Sequence, residues 1–63
     1  MAKDYGVYKE TTDLWVKTTT PLVLGTEAEA QHYNETDAMT VANYLTLTEG
    51  VTFRVGRPDD RHG

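Results

Sequence analysis

The sequence predicts a small α+β domain. In this domain, a small antiparallel sheet made of an N-terminal hairpin and a C-terminal strand packs against one main helix. A short helical turn precedes that helix. Two patterns indicate this class: polar and apolar residues alternate at strand spacing near the N-terminus, and apolar residues recur at helical spacing from Ala38 to Leu45. A chain of 63 residues is one domain near the lower size limit, where a single core supplies only about 3–5 kcal/mol.

The first predicted element is a β-hairpin, GVYKETTDLWVK. Val7 alternates with Tyr8, residues 11–13 supply turn chemistry, and strand-forming residues follow at 14–16. The next segment, TPLVLG, is expected to be short and extended. We expect it at a sheet edge, because Pro21 has no N–H to donate to a neighbouring strand.

The helical part begins at TEAE, which has the pattern of a capping box between Thr26 and Glu29 and predicts one or two turns ending near Tyr33. A second start follows, because Asn34 or Thr36 can cap a helix. The main helix is indicated by apolar residues at i, i+3, i+4 and i+7: Ala38, Val41, Ala42 and Leu45.

Residues 39–48 have a competing interpretation as the first strand of a second hairpin that turns at Glu49 and Gly50. The helix is preferred because its spacing is intact and Gly50 also suits a helix end. In both interpretations residues 51–55 form a strand whose apolar side chains face the core, together with Trp15 and Tyr33. We expect a single domain over residues 1–57 and a flexible tail over residues 58–63.

The middle of the chain carries only negative charge. The net charge is -4, and no lysine or arginine lies between Lys17 and Arg54. Such a block repels phosphate backbones and attracts basic surfaces, although acidic residues also simply keep a small domain soluble. The predicted partner-binding residues are the carboxylates of this block: Glu27, Glu29, Glu35, Asp37 and Glu49.

One short pattern carries a resemblance: Ala30 and Tyr33, then the capping residue Thr36, then a helix containing Ala38 and Ala42. With the order of elements, it resembles small β-β-α-β domains found among uncharacterised phage and bacterial proteins. The resemblance covers about two thirds of the chain and implies a fold, without an activity, cofactor or catalytic residue. The chain departs from such domains in having no lysine around its helix.

Candidate chemical sites are few. On one continuous helix, His32 would share a face with Glu29 and Glu35 and could bind a metal or transfer protons. The second cap interrupts that helix, so an exposed histidine in a turn is the preferred interpretation. The ligand-type residues of the C-terminal segment, Asp59, Asp60 and His62, have nothing to fix their geometry. The chain has no serine or cysteine and its glycines are isolated, so we expect no enzyme, no cofactor and no metal.

The leading hypothesis is a cytoplasmic, non-enzymatic protein-interaction module, of the kind with which phages or mobile elements modulate a host factor. Its acidic helical face would bind a basic protein surface. A second hypothesis is a small nucleic-acid-binding module that uses the hairpin residues Tyr5, Tyr8, Lys9 and Lys17, although the acidic charge disfavours nucleic acid. A third is a self-assembling subunit, such as a homodimer. No segment is apolar enough to predict a membrane span.

Overall fold

A computed structural model describes residues 4–58 and confirms the α+β class. A four-stranded antiparallel sheet packs against one main helix, α1. A single 3-10 turn, Glu27–Glu29, precedes the helix. The elements in chain order are β1 (Gly6–Lys9), β2 (Trp15–Thr19), β3 (Leu22–Gly25), α1 (Glu35–Glu49) and β4 (Phe53–Gly56).

The strands are ordered β3-β2-β1-β4 in the sheet, and all neighbours are antiparallel. The three N-terminal strands form a meander, and the chain then crosses the sheet through α1 and adds β4 beside β1. The prediction of an extended edge segment in TPLVLG is confirmed, since β3 lies at one edge. Its pairing with β2 shifts register between Val16 and Thr18, which bends the strand as a bulge does.

The two faces of the sheet carry different apolar layers. Val7 pairs with Val55 on the face that meets α1, where the core consists of Val7, Val16, Ala38, Ala42, Leu45 and Phe53. Trp15 pairs with Tyr8 on the opposite face, where their ring centroids are 4.9 Å apart. Although α1 lies on the other face of the sheet, Trp15 is only 2 % exposed. Sequence reasoning placed Trp15 correctly in the interior but did not identify this second layer.

Two glycines make room for the Trp15 ring. A Cβ atom at Gly6 would lie 2.9 Å from Cε3 and Cζ3 of the ring, and one at Gly56 would lie 3.3 Å from Cη2. The paired positions of these glycines let the indole rest directly on backbone. Pro58 is also buried, and its Cγ lies 3.1 Å from the same Cβ position at Gly6. The rest of the predicted tail, residues 59–63, lies outside the described residues.

Residues 31–33 link the two halves of the sheet. The Gln31 N–H donates to the Val16 carbonyl of β2 at 2.9 Å, whereas Tyr33 and Tyr5 exchange two backbone hydrogen bonds of 2.7 and 3.0 Å just before β1. These N–H groups of residues 31 and 33 bond to Val16 of β2 and to Tyr5 just before β1, so they cannot continue a helix. The predicted first helix therefore ends at Glu29 rather than near Tyr33.

Residues 39–48 lie within α1, so the helix interpretation of this segment is confirmed and the second hairpin is wrong. The side chain of Asn34 caps α1 by accepting a 2.8 Å hydrogen bond from the Asp37 N–H, and Gly50 ends it in the left-handed region with φ of 75°. Thr46 ties the helix to β4, because its hydroxyl accepts from the Phe53 N–H at 3.0 Å. These contacts define both ends of the helix and its position on the sheet.

Candidate partner-binding surface

The five predicted acidic residues do not form one patch. Glu29 lies beside Gly25 on the sheet face opposite α1, with its Oε2 3.6 Å from the Lys17 Nζ. Its carboxylate also accepts from the Thr26 N–H at 3.0 Å and from the Thr26 hydroxyl at 3.3 Å. The Thr26 N–H, followed by the Lys17 charge, lowers the pKa of Glu29 below its ordinary value. The charge of Glu29 is thus used within the chain, and Glu27 is half-buried in the same turn.

The three carboxylates of α1 are in a different situation. Glu35 and Asp37 are exposed in the first turn and Glu49 is exposed in the last. In the part of the chain that the structure describes, none of the three forms an ion pair. The two groups are about 18–21 Å apart along the helix axis, at 1.5 Å per residue. Glu35 and Asp37 point in different directions, since they are two residues apart. Glu49 follows the buried Leu45 by four residues, so it lies on the sheet side of the helix end.

Each end of α1 has its own electrostatic character. Glu35 and Asp37 offset the positive end of the helix dipole, whereas Glu49 adds to the negative end, whose last turn has no basic residue. The antiparallel bridge of Tyr5 with Tyr33 also places Asp4 opposite Asn34, beside the first turn. Sequence reasoning missed Asp4, because only the fold brings it next to α1.

The solvent side of α1 is uncharged and partly apolar. Residues 38–48 include no charged side chain, and three large apolar residues among them are exposed: Met39 by 53 %, Tyr44 by 60 % and Leu47 by 84 %. We call these three residues the α1 ridge. Sequence reasoning missed the ridge, although its signal was present, because these apolar residues fall outside the i, i+3, i+4 series that predicts the buried face.

The N-terminal hairpin residues proposed for nucleic acid do not share a face. Tyr5 packs against the core on the α1 side, beneath the Arg57 guanidinium at 5.7 Å from the ring centroid. Tyr8 points to the opposite side, against Trp15. Lys9 pairs with Phe53 on the α1 side, whereas Lys17 is held by Glu29. Neighbouring residues of a strand alternate between faces, which divides these four side chains into two pairs, Tyr5 with Lys9 on the α1 side and Tyr8 with Lys17 on the opposite side.

Two basic side chains of the sheet, those of Arg54 and Lys17, are bound to carboxylates of the chain itself. The Arg54 Nε donates to Glu10 Oε2 at 2.6 Å, as the Lys17 ammonium is bound to Glu29. A basic group that already has a carboxylate partner gains less from a phosphate, since that pair must be given up or shared.

His32 lies in the extended segment between the 3-10 turn and α1 and is half-buried. The interruption of the helix removes the shared face with Glu29 and Glu35. Among residues 4–58, no group of three or more His, Asp or Glu side chains is arranged to hold a metal ion. Burial raises the pKa of the neighbouring Tyr33 hydroxyl, which therefore stays protonated at neutral pH. The ligand-type residues Asp59, Asp60 and His62 lie outside the described residues.

None of the helices in residues 4–58 is both long enough and apolar enough to cross a membrane. No protein-family model matches the chain, and comparison with curated proteins and with solved structures gives no significant match.

Proposed function

We propose that this protein is a non-enzymatic interaction module that binds a basic surface of another protein through the acidic ends of α1. One observation carries the proposal. Glu35, Asp37 and Glu49 are exposed without an ion pair among the described residues, whereas Glu29 and Glu10 are paired with basic groups of the chain itself. The unpaired carboxylates are therefore available to an outside cation.

Electrostatics gives these carboxylates a specific role. They are fixed to a helix capped at Asn34 and ended at Gly50, so their separation is set before a partner arrives. Complementary charges at fixed positions increase the association rate and orient the partner more than they add to affinity. At physiological salt their reach is about 8 Å, so the attraction acts locally and weakens as salt rises.

A protein is the favoured partner because the same negative field opposes a phosphate backbone. The hypothesis of a phage or mobile-element accessory protein adds that the partner is a host factor with a basic surface. Neighbouring reading frames of phage or defence genes would support that origin, and housekeeping neighbours would count against it.

A pull-down from cells that naturally express the protein tests the proposal. The double variant Glu35→Gln with Asp37→Asn should capture several-fold less of the basic protein retained by the wild type. Among single variants, Glu35→Gln should weaken capture, whereas Asp13→Asn removes the same charge in the turn between β1 and β2 and should not. Equal capture by the wild type and the double variant would contradict the proposal.

A further inference from the structure

The α1 ridge is the most exposed apolar surface in the described chain. It supplies three of the five exposed large apolar residues, and the other two, Leu14 and Val23, lie in the hairpin and at the β3 edge at 41 % and 40 % exposure. Single exposed apolar residues are normal, but adjacent ones without charges between them mark interaction surfaces. Leu47, at 84 % exposure, contributes nearly its whole side chain to such a surface.

The ridge has the form of a docking strip. Tyr44 and Leu47 are neighbours at i and i+3, and Asn43 connects Met39 to Leu47 through successive i, i+4 steps. The strip extends about 12 Å along the helix. Beside it, an open depression of about 330 Å³ lies between α1 and β4, with Met39, Asn43 and Val55 in its wall. A side chain of a docked partner can enter this depression while others cover the ridge.

Charge decides between a second copy of this chain and a different partner. In a parallel pairing of two ridges, Glu35 and Asp37 of one copy would meet the same residues of the other. In an antiparallel pairing they would meet the negative end of the helix dipole. Like charges oppose each other in both arrangements, and α1 has no basic residue that could compensate. The ridge therefore fits a partner whose basic groups lie at the ends of its apolar strip.

We propose that the α1 ridge docks an amphipathic helix of a protein partner. The apolar residues of that helix cover Met39, Tyr44 and Leu47. Its lysines or arginines meet Glu35 and Asp37 at one end and the carbonyl end of α1 at the other. Basic residues about 12–14 positions apart on one helix match the spacing of the acidic ends. This proposal rests on the proposed function, which supplies the acidic ends, and adds the apolar contact that holds the partner.

Three synthetic helical peptides about 18 residues long serve as probes in titrations followed by NMR. The first carries a leucine strip with lysines at both ends, the second keeps the lysines but has serine in place of leucine, and the third keeps the leucines but has glutamine in place of lysine. We expect the first peptide to bind most tightly and to shift the backbone signals of residues 39–48. Leu47→Ser should weaken its binding by about tenfold or more, whereas Val23→Ser, the matched change at the β3 edge, should leave it unchanged.

The outcomes separate the two proposals. If the first two peptides bind equally and Leu47→Ser has no effect, the ridge proposal is wrong while the acidic ends still bind basic groups. If no peptide binds at millimolar concentration, both proposals fail. If sedimentation shows a wild-type dimer that Leu47→Ser dissociates, a second copy covers the ridge and the partner-helix proposal is overturned. Circular dichroism of each variant shows whether it is folded.

Discussion

The substitution Gly6→Ala tests the second apolar layer, in which the Trp15 ring rests on glycine backbone. The new methyl carbon would lie 2.9 Å from Cε3 and Cζ3 of Trp15 and 3.1 Å from Cγ of Pro58. Favourable carbon–carbon contacts are about 3.5–4.0 Å, so the ring must move by roughly 0.6–1 Å. Because Trp15 is buried, that movement displaces other groups rather than water.

The expected cost follows from two opposing terms. Overpacking of a filled site costs about 1–3 kcal/mol, whereas alanine in a strand is favoured over glycine by about 0.5–1 kcal/mol through chain entropy. With mid-range values of both terms, we expect a net loss of about 1 kcal/mol in the free energy of unfolding. That loss is a large share of the roughly 3–5 kcal/mol that a core of this size supplies.

Urea unfolding followed by circular dichroism measures this loss, and a double-mutant cycle assigns it. Trp15→Phe removes the outer ring that the methyl would touch, so Gly6→Ala should cost much less in that background. Gly50→Ala is the matched control. Nothing lies within 4 Å of its Cβ, and its strain comes from a φ of 75°, so its cost should be the same in both backgrounds. An equal cost of Gly6→Ala with and without the indole would refute the packing explanation.

Three further predictions concern single contacts. Asn34→Ala removes the cap of α1 and should lower the free energy of unfolding by about 1 kcal/mol. Asn34→Ser keeps a capping oxygen and should retain most of that free energy. Equal losses for the two variants in urea unfolding would argue against the cap. Thr46→Val should cost about 1 kcal/mol because the Phe53 N–H loses its acceptor, and Thr46→Ser, which keeps the hydroxyl, is the control that should cost less. The pKa of Glu29 lies below its ordinary 4.5, so its charge stabilises the fold above about that pH, and this contribution disappears as the pH falls through the lowered value. NMR titration of the carboxyl carbon should show a midpoint below 4.5 that rises in Lys17→Met, and a midpoint at or above 4.5 in the wild type would disprove the assignment.

The fold class could be predicted from the sequence because its signals are local. The spacing of Ala38, Ala42 and Leu45 defined the buried face of α1, and Gly50 supplied a helix end that only a few residue types adopt without strain. The edge position of β3 was expected from Pro21, although Pro21 itself lies in the turn before the strand. Each of these inferences depends on residues close together in the chain.

Features that depend on long-range pairing could not be predicted in this way. The bridge between Tyr5 and Tyr33, the ion pair between Arg54 and Glu10, and the approach of the Trp15 ring to Gly56 all join residues far apart in the sequence. The acidic block looked like a single surface because its members are consecutive carboxylates in a stretch without basic residues. The fold divides it, since Lys17 reaches Glu29 across the sheet, and leaves the two ends of α1 exposed.

Site-specific photo-crosslinking in cells that naturally express the protein is the most direct test of α1 as the binding surface. A photoreactive phenylalanine analogue would replace Tyr44 on the ridge or, as the control, Val23 at the β3 edge. We expect the Tyr44 position to form a crosslink to one protein, at a helical segment with lysine or arginine at its ends. Crosslinks from the Val23 position to the same partner, with none from Tyr44, would contradict the assignment of binding to α1.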